Sequence, residues 1–138
     1  MAKTAVVYWS GTGNTETLAN EIVNILEQQG GETSQFVASD FTSNEVPDFD
    51  TFFFGCSAQG AEELEEGDFL PMWEQVKPLL SGKKVALFGS YGWGSGEYMD
   101  NWKEDCANSS VAVCDTFVCE GEPDEDALAT LKEFVVKI

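Results

Sequence analysis

Three short, almost unbroken apolar runs limit what this chain can fold into. They are residues 5–9 (AVVYW), 51–56 (TFFFGC) and 84–88 (KVALF). Each is too short for a packed helix and rich in β-branched or aromatic residues. A strand with one wet face alternates apolar and polar residues, whereas a strand that is apolar throughout is covered on both faces. Parallel sheets make such strands.

The stretches between these runs carry a helical period. Residues 14–29 place Leu18, Ile22, Ile25 and Leu26 on one face and end at Gly30-Gly31. Residues 70–80 read as a helix that tolerates Pro71 near its start and Pro78 near its end. Two more helices are expected over 97–107 and 127–138, the latter after a turn at 121–124 and with Leu128, Leu131, Phe134 and Val135 inward. Residues 33–38 form a weaker second strand, and 39–50 a polar connection with room for one helical turn. Residues 111–119 form a fifth strand, with a break near Cys114-Asp115. Strand and helix alternate from end to end, without repeats or linkers. Right-handed crossovers then predict an α/β fold: a doubly wound, five-stranded parallel sheet with helices on both faces, in a single domain spanning 1–138.

Charge narrows the function. Seven basic residues, all Lys, stand against 25 acidic ones, giving 7 − 25 = −18. With no Arg and no His, a Ser-His or Cys-His catalytic pair, a His metal site and a bidentate Arg clamp are all excluded. So strong a negative charge argues against nucleic acid or an anionic membrane as partner and favours basic surfaces. No signal peptide or membrane span is expected, and the four cysteines form no C-x-x-C pair. They read as reduced thiols in a cytoplasmic protein.

In a doubly wound sheet, a ligand sits beyond the carboxyl ends of the strands, where the strand order reverses. Three loops of unusual composition leave such ends. Ser10-Gly11-Thr12-Gly13-Asn14-Thr15 offers hydroxyls, an amide and unhindered N–H groups at a helix start, which is a phosphate cradle without a cation. It is neither a Walker A loop nor G-x-G-x-x-G. Ser90-Tyr91-Gly92-Trp93-Gly94 presents an aromatic ring between glycines, suited to stacking on a flat ligand. Residues 57–66 combine Gly60 with a crowd of acids; most of these read as a solvated face, and Glu62 is the one expected to meet a ligand.

The strings VYWSGTGNTE, FGCSAQGAEELEE and SGKKVALFGSYGWGSGEYMDNWK, with GEPDED before the last helix, resemble short-chain flavodoxin over essentially the whole chain. The resemblance implies strand order 2-1-3-4-5, of which flavodoxin is itself a standard illustration. It also implies one tightly bound, non-covalent FMN in a low-potential one-electron carrier that shuttles between semiquinone and hydroquinone, not an enzyme with its own substrate. By similarity, Ser10, Gly11, Thr12, Gly13, Asn14 and Thr15 hold the phosphate. Ser57, Ala58, Gln59, Gly60, Ala61 and Glu62 line the inner edge of the ring system, with Glu62 accepting from its N3–H. Trp93 stacks on the outer face, and Ser90, Tyr91, Gly92 and Gly94 complete the outer wall. The implied partners are basic-faced redox proteins, ferredoxin-type oxidoreductases and reductases, met by a cytoplasmic monomer.

Two departures stand out, Gln59 where the family pattern has Met and Ala61 where it commonly has Asp. In the family, the peptide after Gly60 flips on reduction. A positive φ at Ala61 would cost about 1 kcal/mol, so weaker semiquinone stabilisation is expected.

Two rivals remain from other classes: a flavin or quinone reductase of the same fold, and a passive FMN store. The first needs a binding group for a second substrate, and none is evident. A tyrosine phosphatase would need Arg, and a receiver domain would need carboxylates where Trp9 and Cys56 stand.

Overall fold

The computed structural model describes residues 3–11, 13–58, 64–92 and 96–138. Five strands, β1 (Lys3–Trp9), β2 (Glu32–Val37), β3 (Thr51–Cys56), β4 (Lys84–Tyr91) and β5 (Val113–Glu120), form one sheet in the order β2-β1-β3-β4-β5. Every neighbouring pair is parallel. Four helices connect or follow them: α1 (Asn14–Gln28), α2 (Phe69–Val76), α3 (Glu97–Asn108) and α4 (Glu125–Lys137). The strand order reverses at β1, which has β2 on one side and β3 on the other.

Side-chain alternation divides the central strands between two cores. Ala5, Val7, Phe52, Phe54, Val85 and Leu87 face α2 and α3. Val6, Tyr8, Phe53, Ala86 and Phe88 face α1 and α4. Every residue of β3 is buried, as its unbroken apolar run requires. The weak second strand is weak because β2 is an edge, with four of its six residues exposed.

The structure adjusts several expected boundaries. β4 runs on through Gly89 and Ser90 to Tyr91, instead of stopping at Phe88. Glycine is required at position 89 by a close approach, since a Cβ there would collide with the Cys56 carbonyl oxygen and the Tyr98 hydroxyl. The helix expected over 70–80 is α2 followed by a 3-10 turn, Lys77–Leu79. Pro78 has no N–H with which to continue the α ladder. The polar connection holds two 3-10 turns, Ala38–Asp40 and Ser43–Asp48. The break in the fifth strand is a β-bulge: Val85 pairs with Val113 and Ala86 with Asp115, leaving Cys114 as the extra residue on an edge strand.

Candidate functional site

β1 delivers the chain into the first loop at Ser10. There the Gly13 N–H donates to Ser10 Oγ at 3.0 Å, so the hydroxyl keeps its own proton for another acceptor. Gly13 takes φ 95° and ψ −10°, a left-handed conformation that suits glycine. As the N-cap of α1 it has no side chain with which to occupy the first-turn N–H groups. Those donors and the positive end of the helix are what an anion would meet. Thr17 fixes the turn by donating both its N–H and its hydroxyl to the Gly13 carbonyl, each at 3.0 Å.

Behind this turn lies a buried cluster of hydroxyls. Thr15 Oγ1 is 2.8 Å from Ser57 Oγ and 2.8 Å from Ser90 Oγ. The three residues come from the start of α1, the end of β3 and the end of β4, and all are buried. Three hydroxyls carry three protons, and the two bonds within the cluster use two of them. One proton is left to donate outward, and no base lies within the cluster to take it. Such a donor set fits a phosphate oxygen. Among the described residues no lysine sits on these loops: Lys3, Lys83 and Lys84 precede or open strands, and Lys77, Lys103, Lys132 and Lys137 lie within or after helices.

Tyr98 bridges the second and third loops at their roots. It is 1% exposed, and its hydroxyl lies 3.0 Å from the Cys56 carbonyl oxygen and 3.4 Å from that of Ser90. The Ala58 N–H also donates to the Ser90 carbonyl, at 2.9 Å. The ends of β3 and β4 are thus held at a fixed spacing, with Gly89 between them. Cys56 packs here, and burial pushes its thiol pKa up to about 12, which disfavours the thiolate.

Glu65 departs from the solvated-face reading. Its carboxylate accepts from the N–H groups of Gly67, Asp68 and Phe69 at 2.6, 2.7 and 2.8 Å, closing the approach to α2. Burial opposes its ionisation, but the three donors outweigh that and hold its pKa below the usual carboxylate value. Trp9, expected in the core, is only half-buried beside Ser10 at the sheet end. Tyr8 donates to Glu16 Oε2 at 3.0 Å and joins β1 to the first turn of α1; burial, then Glu16, raises the Tyr8 pKa.

The described site residues Ser10, Gly11, Gly13, Asn14, Thr15, Ser57, Ala58, Ser90, Tyr91 and Gly92 gather at the carboxyl ends of β1, β3 and β4. Ser57 was expected at a ring edge and Ser90 in an outer wall, yet their hydroxyls both meet Thr15 of the first loop. Thr12, Gln59, Gly60, Ala61, Glu62, Trp93 and Gly94 lie outside the described residues. Tyr98 escaped the sequence reading because an aromatic residue at a helix start looks like core. Its polar end was legible only as a residue following a glycine-rich turn.

A flavodoxin family profile matches residues 6–134. The flavodoxin of Megasphaera elsdenii is 44% identical over 119 residues, covering 86% of this chain and 87% of the relative. That of Clostridium beijerinckii is 43% identical over 121 residues, covering 87% and 88%. The solution structure of two-electron reduced Megasphaera elsdenii flavodoxin superposes with a TM-score of 0.87 at 40% identity, covering 98% of this chain and 99% of that one.

Proposed function

The chain belongs to the flavodoxin family of FMN-binding electron carriers, and we propose that its FMN phosphate is held by the Ser10–Thr15 turn and the Thr15–Ser57–Ser90 hydroxyl cluster. The observation that carries this reading is Thr15 Oγ1, bonded at 2.8 Å to both serines and leaving one hydroxyl proton unclaimed. Bound there, FMN supplies the one-electron chemistry. Ser10 and the first-turn N–H groups of α1 donate to the phosphate. Hydrogen bonds to a charged acceptor contribute about 1.5–3 kcal/mol each, enough in combination to hold a dianion without a cation. Ala58, Tyr91 and Gly92 stand at the roots of the loops that would flank the ring, with Gln59, Gly60, Ala61, Glu62, Trp93 and Gly94 assigned to those loops.

The protein's charge sets the direction of its potential. A unit charge at about 12 Å opposes added negative charge by on the order of 1 kcal/mol at an effective dielectric near 20. With a net −18, several acids act together and make the carrier low-potential. The same field steers basic-faced redox proteins of the ferredoxin-type oxidoreductase and reductase classes toward the site. No helix among the described residues is long and apolar enough to cross a membrane. The reading is of a one-domain, cytoplasmic monomer.

Titration of the purified protein with FMN, followed by flavin fluorescence and visible absorption, tests the assignment. A yellow protein that takes up FMN stoichiometrically is expected. A colourless protein that ignores micromolar FMN overturns it. Thr15→Val keeps the side-chain shape but removes the central hydroxyl. It is expected to weaken FMN by about tenfold to a hundredfold, the loss of one such bond. Riboflavin, which lacks the phosphate, should lose much less. Equal losses for the two ligands would remove the phosphate from this cluster.

A further inference from the structure

A groove of about 300 Å³ runs between α2 and α3, outside the hydroxyl cluster. Leu64, Leu70, Tyr98 and Trp102 give it an apolar lining, and Glu66, Glu74 and Asp105 bring carboxylates to it. Tyr98 lies in the first turn of α3, and Asp105 is seven residues further on (105 − 98). The groove therefore descends about 10 Å along the helix flank, away from the carboxyl end of the sheet.

Its charges are only partly balanced. Lys77 lies 3.1 Å from Glu74 and 3.1 Å from Asp105, one ammonium between two carboxylates. Glu66 adds a third negative charge. The two tryptophans beneath are also unequal. Trp73 donates its indole N–H to Asp105 at 2.8 Å, whereas Trp102, 2% exposed, finds no acceptor for its own among the described residues. A buried donor without a partner is uncommon in a folded protein.

We propose that this groove receives an arginine side chain from the redox protein that docks at the flavin end. The inference rests on reading the chain as an electron carrier. The apolar lining suits a long alkyl stem. A planar guanidinium carries five donors and can address carboxylates on two helices at once. Lys77 already fills the place of a compact point charge between Glu74 and Asp105. At about 300 Å³ the groove has room for one long side chain. Arginine is also among the residues that concentrate binding energy at protein interfaces.

The test uses the FMN-loaded, nitrogen-15-labelled protein and N-acetyl-arginine methylamide as probe. Its neutral isostere N-acetyl-citrulline methylamide is the control. The Trp102 indole N–H resonance should shift saturably with the arginine compound. The citrulline compound should bind at least about fivefold more weakly, the worth of one partly exposed ion pair. Asn101→Tyr, which plugs the groove at constant charge, should abolish the shift, and Glu66→Gln should weaken it. Equal affinity for the two compounds, no saturable shift, or a shift that survives the plug overturns the proposal. The flavin absorption of the same samples reports separately on the carrier reading. A protein that holds FMN but ignores arginine loses only this inference.

Discussion

On the face covered by α1 and α4, the core is built of Leu18, Ala19, Ile22, Ile25, Leu131, Phe134 and Val135 against Val6, Phe53 and Phe88. On the face covered by α2 and α3, Phe54, Phe69, Trp73 and Trp102 pack in edge-on aromatic contacts threaded by polar bonds. Trp73 and Lys77 both reach Asp105, and Tyr98 reaches the ends of β3 and β4. A purely apolar layer fixes how firmly the sheet is held. A layer with directional bonds also fixes where the loops begin. The helices of the second face sit against the loops after β3 and β4, so damage there should reach the cofactor, while damage on the first face beyond the opening turn of α1, which itself carries the proposed phosphate site, should register in stability alone.

The largest expected effect is on the apolar face. Phe134 is 3% exposed and meets Phe53 and Phe117 at ring-centroid distances of 5.8 and 5.9 Å. Phe134→Ala should cost about 3–5 kcal/mol in urea unfolding, from lost transfer energy and the cavity left behind. The fraction that remains folded should bind FMN as tightly as wild type. A matching fall in FMN affinity would erase the distinction between the faces.

On the other face a single oxygen should suffice. Tyr98→Phe keeps the ring and removes the hydroxyl that lies 3.0 Å from the Cys56 carbonyl oxygen. The loss in stability should be about 0.5–1.5 kcal/mol for one neutral hydrogen bond. FMN should bind more weakly and its midpoint potential should move, because the spacing of β3 and β4 is no longer pinned. A stability loss with unchanged affinity and potential would make Tyr98 a core residue like any other.

The layered fold was legible because its signal is local. Unbroken apolar strands and periodic helices each announce themselves within a dozen residues, and even the bulge at Cys114 showed as a break in the fifth strand. The first loop was legible for the same reason, since Ser10 to Thr15 are consecutive. The hydroxyl cluster was not. Thr15 is 42 residues from Ser57 and 75 from Ser90, and no pattern in the sequence says which side chains the strand register will bring together. Tyr98 and Trp102 sit at positions where an aromatic residue packs well, and packing gives no hint of where a hydroxyl or an indole N–H will point. Glu65 was hidden in a different way: it is one acid in a run of acids, and only the backbone turn beneath it sets it apart.

Glu65 gives the smallest effect and the one with a pH signature. By accepting from the N–H groups of Gly67, Asp68 and Phe69, it does at the start of α2 what a capping side chain does elsewhere. Glu65→Ala should therefore cost about 1 kcal/mol at neutral pH. The folded pKa is lowered by those donors, so the carboxylate's contribution is complete above its unfolded pKa. It disappears as pH falls through the lowered folded value. The gap between wild type and Glu65→Ala in urea midpoint should thus be constant near neutrality and narrow in acid. Glu65→Gln, which retains one acceptor oxygen and no charge, should lie between the two at neutral pH; its margin over Glu65→Ala should not change with pH, since neither side chain titrates, and wild type should fall toward it in acid. A gap that does not narrow in acid would mean that the side chain acts by packing, and the loop before α2 would then be held as the apolar face is held.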